Sequence, residues 1–161
     1  MTWPSRLYDR SVVQALAFQA VLDPYSPLAG NPQSPVIRTI AIRDDQTLEQ
    51  LHEALRLAFG WADAHLYSFW LTGEFWDESG EYTAPFEIEE MGKPKASARI
   101  PIAELGLKKG SAIAYVFDFG DEWRLMLEVV DSWPSGDSSY PMLVEAEGVP
   151  PPQYPELEED E

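Results

Sequence analysis

Few side chains in this chain have the chemistry of a catalytic or metal site. Asp118 and Asp121 sit in the run Asp118–Phe119–Gly120–Asp121–Glu122–Trp123, and His52 and His65 are the only histidines. A two-histidine site completed by Asp63, Asp118 or Asp121 has the donor types for a divalent metal. His65 with Asp118 or Asp121 could then serve a metal-dependent hydrolase whose bound water is the nucleophile. No HxH or HExxH spacing accompanies these residues. His52 reads equally as a helical residue at the edge of a core, and His65 as a group that hydrogen-bonds the loop Trp61–Ala62–Asp63–Ala64. Asp118, placed beside Trp123 at the end of an apolar face, has a setting that suits general acid–base work. The commoner role of an Asp at such a place is to accept turn N–H groups, and Asp121 inside the turn reads as a backbone former.

Other chemistries find no complete set of groups. Asp118–Phe119–Gly120 matches a kinase magnesium motif, but the glycine-rich phosphate loop and the catalytic loop are missing. Cysteine is absent, which removes thiolate metal sites, thiol nucleophiles and disulfides, and fits a cytoplasmic protein. There is no Gly-x-Ser-x-Gly elbow. The 11 Lys and Arg against 28 Asp and Glu give a net charge of −17. That field opposes nucleic acid and anionic membrane as direct partners and favours a protein with a basic surface. The basic concentration at Lys93, Lys95, Arg99, Lys108 and Lys109 is broken by prolines and a turn, and reads as a solvated face. No apolar run is long enough to span a bilayer, and no cofactor is expected beyond the weak metal candidates His65, Asp63 and Asp118.

Aromatic density marks the middle of the chain. Trp61, Tyr67, Phe69, Trp70, Phe75, Trp76 and Tyr82 lie between Phe59 and Phe86. Most belong in a core, while Trp61, Trp76, Tyr82 and Trp123 are candidates for a partner surface. Trp76, set in a polar stretch, is the first of these.

The elements that would position these groups follow from pattern. Residues 12–22 alternate as a strand, although the alanines also suit a helix. Four prolines between Pro24 and Pro35 mark a loop, and Val36–Arg43 reads as a strand able to pair with 12–22. Thr47 with Gln50 forms a capping box, followed by Leu48, Leu51, Leu55 and Ala58 at helical spacing, with Gly60 as the left-handed stop; this predicts a helix over 48–59. His65–Leu71 reads as a strand. A single helical turn ends at Gly106. Residues 113–130 read as a hairpin about a two-residue Gly120–Asp121 turn, with Asp118 facing Trp123 and Val116 facing Leu125. Leu143–Val144 adds a short edge strand. Taken together these predict one α+β domain over 12–150, with a mixed or antiparallel sheet carrying the helix. Residues 1–11 form a flexible lead-in, and 151–161 form a proline-rich and then acidic disordered tail. The last six residues hold five acids, leaving −12 on the rest.

Several of these stretches in order resemble the plasmid pRiA4b ORF-3-like family: VIRTIAI, TLEQLHEALRLAFGW, HLYSFWL, YVFDFGDEWRLMLEVVD and the later EGVPPP. The most specific combinations are Leu51–His52, Phe59–Gly60–Trp61, His65–Leu66, and Asp118–Phe119–Gly120–Asp121 with Trp123. The resemblance implies an α+β domain with 12–22 and 36–43 as paired strands. It implies no activity, because the family is uncharacterised. The sequence departs from the family pattern at Arg124–Leu125, where relatives often carry a His, and at Pro150–Pro151–Pro152–Gln153, where many carry Pro-Pro-Glu-Asp and cysteines. The function expected is a non-enzymatic acidic interaction module. The metal-dependent hydrolase is the alternative, and DNA handling by analogy with the plasmid association conflicts with the charge.

Overall fold

The computed structural model describes residues 12–85 and 96–155. The expected lead-in at 1–11, the acidic residues 156–161, Phe86, Lys93 and Lys95 lie outside the described residues. Among the described residues eight strands form a single sheet: β1 (Gln14–Leu22), β2 (Ile37–Arg43), β3 (Tyr67–Trp70), β4 (Glu81–Thr83), β5 (Ala96–Ser97), β6 (Ala112–Phe117), β7 (Trp123–Pro134) and β8 (Met142–Glu147). Their spatial order is β5-β4-β3-β6-β7-β1-β2-β8. All neighbours are antiparallel except β4 and β5, so the sheet is mixed. One helix, α1 (Leu48–Phe59), lies on one face.

The strand reading of 12–22 holds because its alternate residues Leu16, Phe18, Ala20 and Leu22 all enter the core on the helix side. Its neighbours on both sides are strands, so Ala15 and Ala17 are buried too. The proline loop is closed where the Leu22 N–H donates to Val36 O at 3.0 Å.

α1 begins and ends as its sequence dictates. Thr47 Oγ1 accepts from the Gln50 N–H at 3.1 Å, while Gln50 Oε1 accepts from the Thr47 N–H at 3.0 Å. The first-turn N–H groups of Leu48 and Glu49 donate to the carbonyls of Ile100 and Ala98. Gly60 closes the helix at φ 82°. Leu48, Leu51, His52, Leu55 and Phe59 all turn into the core, so His52 is an interior residue rather than one at the edge.

Arg38, on β2, is buried and satisfied by backbone carbonyls. Its guanidinium donates to Ala58 O at 3.1 Å, Glu147 O at 3.0 Å and Gly148 O at 3.2 Å. A cation at the C-terminal end of α1 also meets the negative end of the helix dipole. One side chain thereby fastens helix, inner strand and edge strand.

The β6–β7 connection differs from the expected two-residue turn. Phe117 pairs with Trp123, Val116 with Arg124 and Tyr115 with Leu125, one residue away from the expected register. A five-residue loop, 118–122, joins the strands, because Asp118 and Glu122 both adopt left-handed backbone (φ 67° and 58°) while Gly120 does not. A one-residue slip changes every cross-strand pair. Tyr115 and Phe117 therefore share the helix-side core with Trp123 and Leu125, while Val116 and Ala114 share the other face with Met126.

The chain also keeps its contacts beyond the boundary expected at 150. Gln153 is buried, accepting from the Asp63 N–H and donating to Asp63 O, each at 3.1 Å. Its amide acts as a backbone mimic, bonding one residue's donor and acceptor at once.

Gly148 sets the exit from β8. It has φ 77°, and a Cβ there would fall 2.2 Å from Pro35 O. Gly148→Ala must therefore shift backbone as well as strain φ. It should destabilise the fold by at least about 2 kcal/mol, read as a lowered denaturation midpoint, whereas Gly136→Ala, with open space around its Cβ, should lose about 1 kcal/mol.

Candidate functional site

Three non-glycine residues among those described have left-handed backbone: Trp76, Asp118 and Glu122. All three meet at one end of the sheet. Two belong to the 118–122 loop, and the Trp76 ring lies 5.7 Å edge-on from Phe119 in the same loop. Such conformations each cost roughly 1–3 kcal/mol and persist only where surrounding contacts enforce them. Their concentration in one place marks this end of the sheet as the candidate site.

Asp118 organises the loop. Its N–H donates to Leu66 O at 2.8 Å, and its carbonyl accepts from the Glu122 N–H. Its Oδ1 accepts from the Gly120 and Asp121 N–H groups at 3.1 and 3.2 Å. The turn role weighed for Asp118 from sequence is thus the one its geometry displays. Phe117, rather than Asp118, stands opposite Trp123.

The second carboxylate oxygen of Asp118 lies 3.5 Å from His65 Nε2. The same nitrogen is 2.9 Å from the Tyr154 hydroxyl. The Tyr154 hydroxyl and the Asp118 carboxylate thus both lie against one ring nitrogen of His65, and the carboxylate can only accept. Desolvation, then the nearby Asp63 carboxylate and the charges of Asp118 and Asp121, raise the Tyr154 pKa. His65 and Asp118 are thus neighbours, beside a tyrosine, Tyr154, that sequence reasoning did not single out. Among the described residues no three His, Asp or Glu side chains group as metal ligands.

On the other side of the loop lies an aromatic platform. Trp70 is buried, with Trp76 at 4.9 Å and Phe75 at 6.3 Å between ring centroids. Trp76 is 48% exposed. Its loop is held by Asp77, whose carboxylate accepts from the Ser79 N–H and hydroxyl. Arg124 lies over Phe75 at 5.6 Å and is paired with Glu122, its Nε donating at 2.7 Å, and with Asp23. The strained Glu122 thus holds the cation that backs the platform.

The four partner-surface candidates separate. Trp76 is exposed and Tyr82 is half-buried. Trp61 and Trp123 are core residues, each at most 1% exposed. Trp61 stacks on Phe117 at 4.9 Å and on Phe59 at 5.2 Å, and its burial leaves no surface for a partner.

His52 belongs to a separate, internal cluster. Its ring stacks on Tyr67 at 3.5 Å, and Nδ1 is 2.9 Å from the Tyr115 hydroxyl. Both histidines approach the Phe117 ring, His52 tilted at 5.9 Å and His65 edge-on at 5.7 Å. Tyr67 lies on β3 and Tyr115 on β6, and both are buried. The pairing of Tyr115 with His52 across 63 residues left no local signal.

The family can now be stated. The family model described as plasmid pRiA4b ORF-3-like protein matches residues 28–154. This chain belongs to that family. An uncharacterised protein, y4hQ, of Sinorhizobium fredii (strain NBRC 101917 / NGR234) is 28% identical over 142 residues, covering 88% of this chain. The chain spans 66% of that relative's length. A protein of unknown function from Methanosarcina mazei Go1, MM3350, has a solved structure similar at a TM-score of 0.61 and 19% identity, covering 84% of this chain and 70% of that one. That likeness carries the fold.

Two predictions follow the two clusters. Asp118→Ala removes the acceptor for two loop N–H groups and leaves an alanine in a left-handed conformation. It should lower stability by about 2 kcal/mol, with Asp118→Asn losing less than half as much, because asparagine tolerates that conformation and keeps Oδ1; chemical denaturation measures both. For His52, burial first, and the Arg56 charge after it, outweigh the attraction of Glu53 and depress its pKa from 6.5 to about 4. In that window the unfolded chain binds the proton and the folded one does not. The stability is therefore present above pH 6.5 and lost as pH falls towards 4, by up to about 3 kcal/mol. His52→Phe should flatten that part of the stability–pH curve relative to the wild type.

Proposed function

We propose that this chain is a non-enzymatic, acidic interaction module that receives a basic protein partner at the Trp76 platform. The observation that carries the reading is Trp76 itself: a large aromatic ring held half-exposed in a left-handed backbone conformation, packed at a tilt against buried Trp70 and edged by Phe119. A hydrophobic residue placed only to fill space would not need that strain. Glu74, Asp77 and Glu78 flank it in sequence, and Asp121 follows Phe119 in the neighbouring loop. An aromatic face among carboxylates suits a Lys or Arg side chain, which gains both the ring quadrupole and the charge. The −17 net charge adds long-range attraction for the same kind of partner.

The alternative, a hydrolase built on His65 with Asp118 or Asp121, has less behind it. Asp118 Oδ1 is committed to the loop N–H groups, and His65 Nε2 is turned to Tyr154.

Partner capture from the native source at low ionic strength tests the proposal. The wild-type protein should retain a reproducible basic partner that is lost from Trp76→Ala and weakened about tenfold by raising salt from roughly 50 to 300 mM. The thermal midpoint of Trp76→Ala should stay at or above that of the wild type minus a few degrees, since the ring is half outside the core. The same partners retained by Trp76→Ala would sink the reading.

A further inference from the structure

The sheet has two edges of very different character. β5 contributes two residues and β8 contributes six. β8 therefore offers the longer row of backbone N–H and C=O groups on its outer side. Its side chains are exposed from Leu143 to Glu147, and Leu143 and Val144 are 52% and 45% exposed.

The irregular register of β2 and β8 sorts those side chains onto two faces. Leu143 pairs with Ile40, whose side chain is in the helix-side core, while Glu145 pairs with Thr39 across a bulge. Thr39 Oγ1 donates to Glu145 Oε1 at 3.2 Å, which fixes Glu145 on the face away from the helix. Ala146 pairs with Arg38, which reaches the helix, and Glu147 pairs with Ile37. The bulge thus re-phases the strand, so that Leu143 and Ala146 lie on the helix face and Glu145 and Glu147 on the opposite one. Beside the start of β8, Pro141 lines a groove with Glu49, Gln50, Glu53, Ala54 and Leu57 of α1. Leu57 is 67% exposed there.

Charge decides the occupant. Natural edge strands are commonly blunted by lysine, yet from Asp131 to Glu161 this chain has no Lys or Arg at all. A second copy is disfavoured, because antiparallel pairings centred on Glu145 or Ala146 set carboxylates directly opposite one another. An extended segment that alternates apolar and cationic residues fits both faces at once: apolar side chains towards Leu143, Ala54 and Leu57, and cations towards Glu145 and Glu147.

We propose that β8 is a docking edge that accepts such a basic, alternating segment of a partner protein as a ninth strand. The interaction is β-augmentation, in which the backbone supplies affinity and the alternating side chains supply selection. This surface is separate from the Trp76 platform and does not rest on it.

The probe is a capped hexapeptide of alternating valine and lysine, added to the full chain. The expected result is slowed hydrogen exchange of β8 amides on peptide addition. The same peptide methylated at every backbone nitrogen keeps its charge and should bind at least about tenfold more weakly. Glu145→Lys combined with Glu147→Lys should also weaken binding at least about tenfold, with near-unchanged thermal stability. Equal binding of the methylated peptide would overturn the proposal in favour of charge alone. Protection confined to the Trp76 loop would overturn it in favour of the platform. Protection of β8 that rises with protein concentration in the absence of peptide would overturn it in favour of a second copy.

Discussion

Phe117, the last residue of β6, lies against the Trp61 indole at 4.9 Å with the two ring planes within 5°. Trp61 follows directly on the helix stop at Gly60 and also contacts Trp123, the first residue of β7, at 5.7 Å. His52 from α1 and His65 from the segment before β3 approach the same Phe117 ring. The exit of the helix, the entry to β3 and both ends of the 118–122 loop are therefore fixed through one buried aromatic contact. Dispersion over such rings is large only if they stay closely packed, so a displacement of Phe117 would reach all these elements together. The conformation of the candidate loop is anchored from below by this stack, and Asp118 completes it from above.

That anchoring explains how strained backbone persists at the sheet end. The left-handed Asp118 is compensated by two N–H groups donated to its carboxylate and by its own N–H donated to Leu66. The left-handed Glu122 is compensated by its pairing with Arg124. The left-handed Trp76 is held by contact with Trp70 and Phe119, in a loop closed by the Asp77 N–H donating to Glu74 O. The loop consequently separates two chemical environments: Asp118 faces the polar His65–Tyr154–Asp63 group, and the adjacent Phe119 meets the aromatic platform. One residue step in the chain divides a hydrogen-bonded face from a π-rich one.

The sequence disclosed those features whose causes are local. The capping box at Thr47 and Gln50, the apolar stripe of α1 and the stop at Gly60 depend on neighbours within a turn, and all are present. The fold class followed from the same signals together with the family resemblance. What was hidden depended on distant partners. The β6–β7 register turned on whether Gly120 or Asp118 supplied the positive φ, and a glycine-first turn is the stronger local pattern. Trp61 and Trp123 looked like contact residues because aromatic type alone does not distinguish core from surface; their neighbours Phe117 and Phe59 decide it. Tyr154 reached His65 across 89 residues from a proline-rich stretch whose composition reads as a tail, and only the Gln153 contact with Asp63 reveals why that stretch stays against the domain.

The distribution of charge gives these features a common consequence. The buried cation Arg38 is satisfied by carbonyls, so it offsets the negative charge without consuming a carboxylate. His52 is kept neutral by burial and supplies no counter-charge at neutral pH. The acidic excess is thus left on the surface, where self-repulsion tends to destabilise the compact state. The aromatic core and the capped helix must outweigh that repulsion. Such a charge also keeps a domain soluble and monomeric. A cationic partner would relieve the repulsion as it binds, so the same carboxylates that strain the free domain would favour the complex. On the proposed reading, exposed apolar surface beside those charges, at Trp76 and at Leu57 with Leu143, is where such a partner would settle.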